Sequence, residues 1–157
     1  MLGRRVRRTR AGEVVLRLSA EERQVLRALP GQLRHLLVDE PDDPALRRLT
    51  PPAYSGDPEH EAEYRRFMGD ELRERRLAAL ALMDETVDAE RLSEEQAQAW
   101  LAALNSLRLV LGTRLDVTEE MAGAELDPDD PQAPLLALYG YLSWLEDQLV
   151  EALAGAL

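Results

Sequence analysis

The chain contains no cysteine. That excludes disulfides, thiolate metal ligands and a thiol nucleophile, and leaves methionine as the only sulfur open to oxidation. Lysine is absent too, so all 19 basic residues are arginine. Aromatic residues make up only 4% of the chain; Leu, Ala and Val must fill most of the core, a composition that favours helices. No apolar run is long enough to span a bilayer. The start Met1-Leu2-Gly3-Arg4-Arg5 is not followed by a signal-peptide stretch, because Arg17 soon interrupts Val14-Val15-Leu16. The expectation is a cytoplasmic protein without membrane contact.

Bases are missing from the last part of the chain: Asp116 to Leu157 holds ten acidic residues and no basic one. The net charge of −11 repels a nucleic-acid backbone in general. The opposite bias marks the start, where Arg4, Arg5, Arg7, Arg8 and Arg10 cluster. Such an arm can hold phosphates, form a solvated hairpin face, or bind an acidic partner, including the chain's own acidic tail.

What is present reads as a single domain over residues 1–157, mainly α, a helical bundle with a short N-terminal β-hairpin. Residues 4–9 and 13–18 are β-tolerant and meet at Arg10-Ala11-Gly12, where Gly12 supplies the positive φ of a three-residue loop. Val14, Leu16 and Leu18 form the face that should pack on helices. Ser19 with Glu22 makes a capping box that opens a helix over about 20–38, with Pro30 expected to kink it. Asp43-Pro44 starts a short turn through Leu49, and residues 50–56 form a loop. The apolar phase survives Gly69-Asp70, predicting one helix over about 58–88. Ser93 with Gln96 makes a second capping box, opening a helix over 94–114. That helix is apolar nearly all round, which places it at the centre of the fold. A last helix over 132–154 carries the stripe Leu135, Leu138, Leu142, Leu145, Leu149. Tyr141 and Trp144 lie off that stripe as a second apolar surface, which needs cover within the fold or from another subunit and makes them candidate partner or homodimer contacts.

Catalytic and metal signatures do not assemble. His60-Glu61 resembles the start of a zinc-protease helix, but Tyr64 stands where the second His belongs. Asp57 and His60 have the spacing of a di-iron ligand pair without the second pair. Asp127, Asp129 and Asp130 lack the glycine and closing glutamate of a calcium loop. The expectation is no metal and no cofactor. Asn105 and Arg108 share one side of the most apolar helix, and a buried guanidinium needs a carboxylate to offset its desolvation. They form a candidate ion-pair or ligand site, with the structural ion pair the favoured reading.

Leu104-Asn105-Ser106-Leu107-Arg108-Leu109-Val110-Leu111-Gly112-Thr113-Arg114-Leu115, with Leu49-Thr50-Pro51-Pro52-Ala53-Tyr54 and Tyr141-Leu142-Ser143-Trp144-Leu145, resembles the actinobacterial AosR family of oxidative stress regulators. The resemblance covers nearly the whole chain. It implies a transcriptional regulator linked to redox balance that works with an alternative sigma factor and influences cysteine-biosynthesis genes. The family's redox switching is associated with cysteine pairing, for which this chain has no residues. The leading expectation is therefore a non-enzymatic regulator that acts through protein contacts with a sigma factor or other transcription machinery. Two alternatives stand beside it: DNA binding through the basic hairpin, and a ligand-binding or hydrolytic bundle around Asn105 and Arg108.

Overall fold

A computed structural model describes residues 4–49, 58–117 and 127–155. In chain order the elements are β1 (Val6–Arg8), β2 (Val14–Leu16), α1 (Ala20–Asp39), a 3-10 helix (Pro44–Leu49), α2 (Pro58–Glu85), β3 (Arg91–Leu92), α3 (Glu94–Arg114) and α4 (Ala133–Ala154). The fold is mainly α, as the sequence leads one to expect. The hairpin forms with Val6 opposite Leu16, and Gly12 turns it at φ +90°. The strands are shorter than the β-tolerant runs, and β2 also pairs antiparallel with β3, giving a three-stranded sheet in the order β1-β2-β3. A two-residue strand such as β3 is set by the sheet edge it meets and has no sequence period of its own.

Both capping boxes form. Ser19 and Ser93 accept from the backbone N–H of Glu22 and Gln96, whose side chains reach back to the cap N–H groups. α1 runs unbroken through Pro30, whose ring is buried with Leu26, Leu33 and Leu37. α2 is one helix through Gly69-Asp70 and stops at Glu85, three residues short of the expected end. There Thr86 turns its N–H onto the Leu82 and Met83 carbonyls, and its hydroxyl donates to the Leu82 carbonyl at 2.6 Å. Trp100 donates to the same hydroxyl at 2.7 Å, so the turn that ends α2 also satisfies the indole of the central helix. α3 ends with Asp116 at φ 52°, while Val117 N–H reaches the Gly112 carbonyl and Asp116 N–H the Thr113 carbonyl. This is the left-handed stop usually made by glycine, here tolerated by a short polar side chain.

α3 lies at the centre and packs against α4, α2, the 3-10 helix, α1 and β3. Its residues Ala97, Trp100, Ala103, Leu104, Leu107 and Val110 are buried among Leu26 and Leu33 of α1, Leu80 and Met83 of α2, and Leu142, Leu145 and Leu149 of α4. The sheet closes one end, with Val6, Val14, Leu16 and Leu92 buried in the same core. α1 and α4 both pack on α3 but hardly meet each other.

Arg23 ties three elements at this end. Its guanidinium donates to the carbonyls of Val87 (2.7 Å), Ala89 (2.9 Å) and Leu16 (3.3 Å). Arg23→Met keeps much of the apolar stem but leaves part-buried carbonyls without donors, a loss of about 1–3 kcal/mol. Thermal unfolding followed by circular dichroism checks it; a variant as stable as the parent removes Arg23 from the fold's main ties.

Candidate functional site

Four hydrogen-bonded ties hold α4 in place, all at Tyr141 or after it. Gln148 accepts the backbone N–H groups of Arg5 (2.8 Å) and Val6 (3.2 Å), fixing α4 to β1. Arg8 donates to the Leu153 carbonyl at 3.1 Å, placing a cation at the negative end of the helix dipole. Arg108 Nε donates to Glu146 at 2.7 Å, and its Nη2 donates to the Asn105 side-chain oxygen at 3.0 Å. Burial alone would lower the Arg108 pKa, but the charge and hydrogen bond of Glu146, helped by Tyr139, raise it instead. Tyr139 also lies over Gly112, where an added Cβ would come within 2.9 Å of its ring. The central helix thus needs glycine there to let α4 approach.

The fourth tie joins Tyr141 to α1. Its hydroxyl donates to Glu22 at 2.7 Å, and its ring lies 5.8 Å from that of Trp144. Arg5 Nε sits 3.5 Å from the same carboxylate, at ion-pair distance but without a hydrogen bond. Burial pushes Glu22 up, yet the bonds from Ser19 and Tyr141 and the Arg5 charge outweigh it and hold the carboxyl below its ordinary value near 4.5. Burial and the Glu22 carboxylate together push the Tyr141 phenol well up. Tyr141 and Trp144 are both half-buried against the core, so the fold itself supplies much of the cover that these off-stripe rings need.

The arginine-rich start is divided in the same way. Arg5 and Arg8 turn inward, Arg8 also pairing with Glu94 at 3.5 Å. Arg4 donates to the Val6 carbonyl two residues on. Arg7 and Arg10 have no polar partner among the described residues and face solvent. At the end of α4 the arm makes a backbone contact, Arg8 to the Leu153 carbonyl, rather than one with an acidic side chain of the tail.

Between α1, α3 and α4 runs an open apolar groove of about 760 Å³, walled by Leu29 and Leu36, floored by Leu107 and Leu111, and bounded on the far side by Leu138 and Leu142. Its size and lining match those of ligand and protein-contact clefts. The few polar groups, Gln32, His35, Glu40 and Arg114, stand at its edge. They are already engaged in part: His35 lies 2.8 Å from Asp39 and 3.7 Å from Glu40, and Arg114 lies 3.4 Å from Asp43. No single sequence stripe marks this groove, because it belongs to three helices and exists only where α1 and α4 separate. Asp57 and the His60 side chain lie outside the described residues. Among the described residues no group of three or more His, Asp or Glu is placed to hold a metal ion. Asp130 accepts from Gln132 N–H at 2.8 Å, turning the chain into α4, and among the described residues no helix is long and apolar enough to cross a membrane.

A family model described as a domain of unknown function, DUF2017, matches residues 3–153. The chain belongs to that family. It is 33% identical over 137 residues to the oxidative stress regulator AosR of Mycobacterium tuberculosis, covering 76% of this chain and 62% of the relative. The same figures hold for the AosR of Mycobacterium bovis. A counterpart in Mycobacterium leprae is 32% identical over 133 residues, 74% of this chain and 61% of its own. The chain therefore spans less than two-thirds of the length of these curated relatives. No solved structure matches it.

Two expectations follow from the polar ties. A double-mutant cycle on Arg108→Met and Glu146→Gln should give a coupling of about 0.5–3 kcal/mol; additive losses would show that the pair does not hold α3 to α4. For the second tie, the sign is fixed by the shifts. Glu22, lowered when folded, stabilises the protein above about pH 4.5, a contribution lost as the pH falls through its folded value. Tyr141, raised when folded, stabilises below about pH 10, and this is lost as the pH rises. Tyr141→Phe should cost about 1.5–3 kcal/mol near neutrality, and the gap to the parent should narrow below pH 4.5 and above pH 10. Melting curves across pH test this; a constant gap refutes it.

Proposed function

We propose that this protein is a non-enzymatic regulator of the oxidative-stress response that acts by contact with other proteins. The observation that carries the reading is the open groove between α1, α3 and α4: an apolar surface built for binding, with its few polar groups at the edge. The polar cluster around Arg108 is engaged within the fold, since Arg108 binds Glu146 and Asn105, which favours a structural role over a ligand or catalytic one. The relatives named as oxidative stress regulators set the biological context. The resemblance makes transcription machinery, with an alternative sigma factor first, the partner to examine. The protein is read as working in the cytoplasm without a cofactor.

DNA binding through the hairpin is the weaker reading. Two of its five arginines, Arg5 and Arg8, are drawn into the fold, and the remaining cations face a field set by a net charge of −11.

The test is genetic. In the native host, deletion of the gene should alter the transcript response to peroxide, and the parent gene should restore it. A variant with a blocked groove, Leu138→Arg, should fail to restore it. A deletion strain whose peroxide response equals that of the parent strain removes the regulatory reading. Full rescue by a stably folded Leu138→Arg variant removes the groove from it. Salt-sensitive DNA binding that disappears in Arg7→Gln/Arg10→Gln promotes the hairpin instead.

A further inference from the structure

We infer that a second copy of this chain covers the groove, in a symmetric dimer made through the N-terminal half of α4. The inference rests on reading the groove as a protein-contact surface and names its occupant.

The sequence from Pro131 to Leu145 carries no charged residue in a chain that is 31% charged. A helix that is apolar on every side belongs in an interior. The C-terminal half of α4 meets that requirement inside the fold, where Leu142, Leu145, Leu149 and Ala152 are buried. The N-terminal half does not: no residue from Ala133 to Tyr141 is fully buried, and Leu135, on the core-facing stripe, is 47% exposed. The cause is geometric, because α1 lies against α3 without closing on α4 and the groove opens beside Leu135. The other exposed large apolar residues, Val25, Val38, Phe67 and Val150, are scattered singly over α1, α2 and the far half of α4, which is ordinary for a soluble surface.

The chemistry of the occupant follows from the bare surface. A partner that brought charges onto it would leave them desolvated and unpaired. The occupant must present an apolar, charge-free face of its own, and the described part of this chain has one continuous face of that kind, the same half-helix. Two copies related by a two-fold axis near Leu135 set each Leu135 against the other's groove wall of Leu29, Leu36 and Leu138, the self-complementary arrangement of an isologous dimer. The outer side of the half-helix does not obstruct this approach: Ala133, Ala137 and Gly140 are small, and an added Cβ at Gly140 would meet nothing within 4 Å. Between Pro131 and Leu145 neither copy brings a charge into the contact itself, so the net charge of −11 acts on it only from outside. At the groove edge Glu40 and Arg114 supply both signs, so the rim of a two-fold contact is not uniformly acidic.

Sedimentation velocity over a range of micromolar concentrations tests the inference on three proteins: the parent, Leu135→Arg, and Val150→Arg as a control on the other half of α4. The parent and the control should sediment as dimers. Leu135→Arg should dissociate about 100-fold more readily, the effect of losing a central apolar contact, with its circular dichroism unchanged. Should Leu135→Arg fold poorly, Leu138→Arg on the same groove wall replaces it with the same expectation. A monomeric parent, or Leu135→Arg and Leu138→Arg variants that both remain dimeric, overturns the dimer. The host rescue assay separates this from the underlying reading. A monomeric parent whose rescue is abolished by Leu135→Arg shows that the groove receives another protein. A dimeric parent whose folded, monomeric Leu135→Arg form rescues fully shows that the dimer is real and the regulatory use of the groove is not.

Discussion

The fold depends on one constraint: α3 is apolar on nearly every side and must be enclosed. Ala99, Leu104, Ser106 and Gly112 are all buried yet lie at widely different angles around a single helix, so no single neighbour can cover it. α1, α2, α4, the 3-10 helix and the sheet each take part of its circumference. Enclosing α3 does not require α1 and α4 to touch each other. The groove is the space left where two helices answer to a third, and its floor is the flank of α3 that neither covers.

Where the enclosing elements meet, polar side chains lock their positions. Arg23 holds the sheet and the end of α2 to α1. Gln148 and Arg8 hold α4 to β1, Arg108 holds it to α3, and Tyr141 holds it to α1 through Glu22. All four α4 ties involve Tyr141 or residues after it, and the buried stripe begins at Leu142. The first turns of α4 have neither anchorage, although Tyr139 reaches toward Arg108 and Gly112. Rigid anchorage at one end and bare apolar surface at the other is an arrangement suited to recognition, since the exposed half is presented at a fixed angle without having to order on binding.

Local physics was readable in the sequence; relations between distant segments were not. The two capping boxes, the hairpin glycine and the continuity of α2 rest on spacings of a few residues, and each appears as the spacing requires. The central place of α3 followed from its apolar circumference. Arg108 shows the boundary between the two. Its position on that helix signalled a need for a carboxylate, but nothing local distinguishes Glu146 from the other acids of the chain. Arg23 carried no signal at all, because its three acceptors are backbone carbonyls, which every sequence has. β3 was hidden for a similar reason: two residues become a strand only because β2 offers an edge. The groove was the least legible feature, since it is defined by where two helices, joined at Tyr141 and Glu22, draw apart.

Charge and surface then work against each other in a useful way. A bare apolar half-helix on a neutral protein would invite indiscriminate association. Here the same chain carries a net charge of −11, which keeps molecules apart by long-range repulsion, an effect confined to about a Debye length at physiological salt. Association is then favoured only where a short-range apolar contact outweighs that repulsion, and the groove with the charge-free face beside it offers such a contact. The acidic composition, which at first argues only against nucleic acid, thereby also opposes loosely fitting contacts at the groove. The absence of cysteine fits the same picture. A chain without its own thiols cannot register oxidation by forming a disulfide, and methionine is the one sulfur left to it; a ligand or partner would shift its equilibria only through differential affinity for the available states.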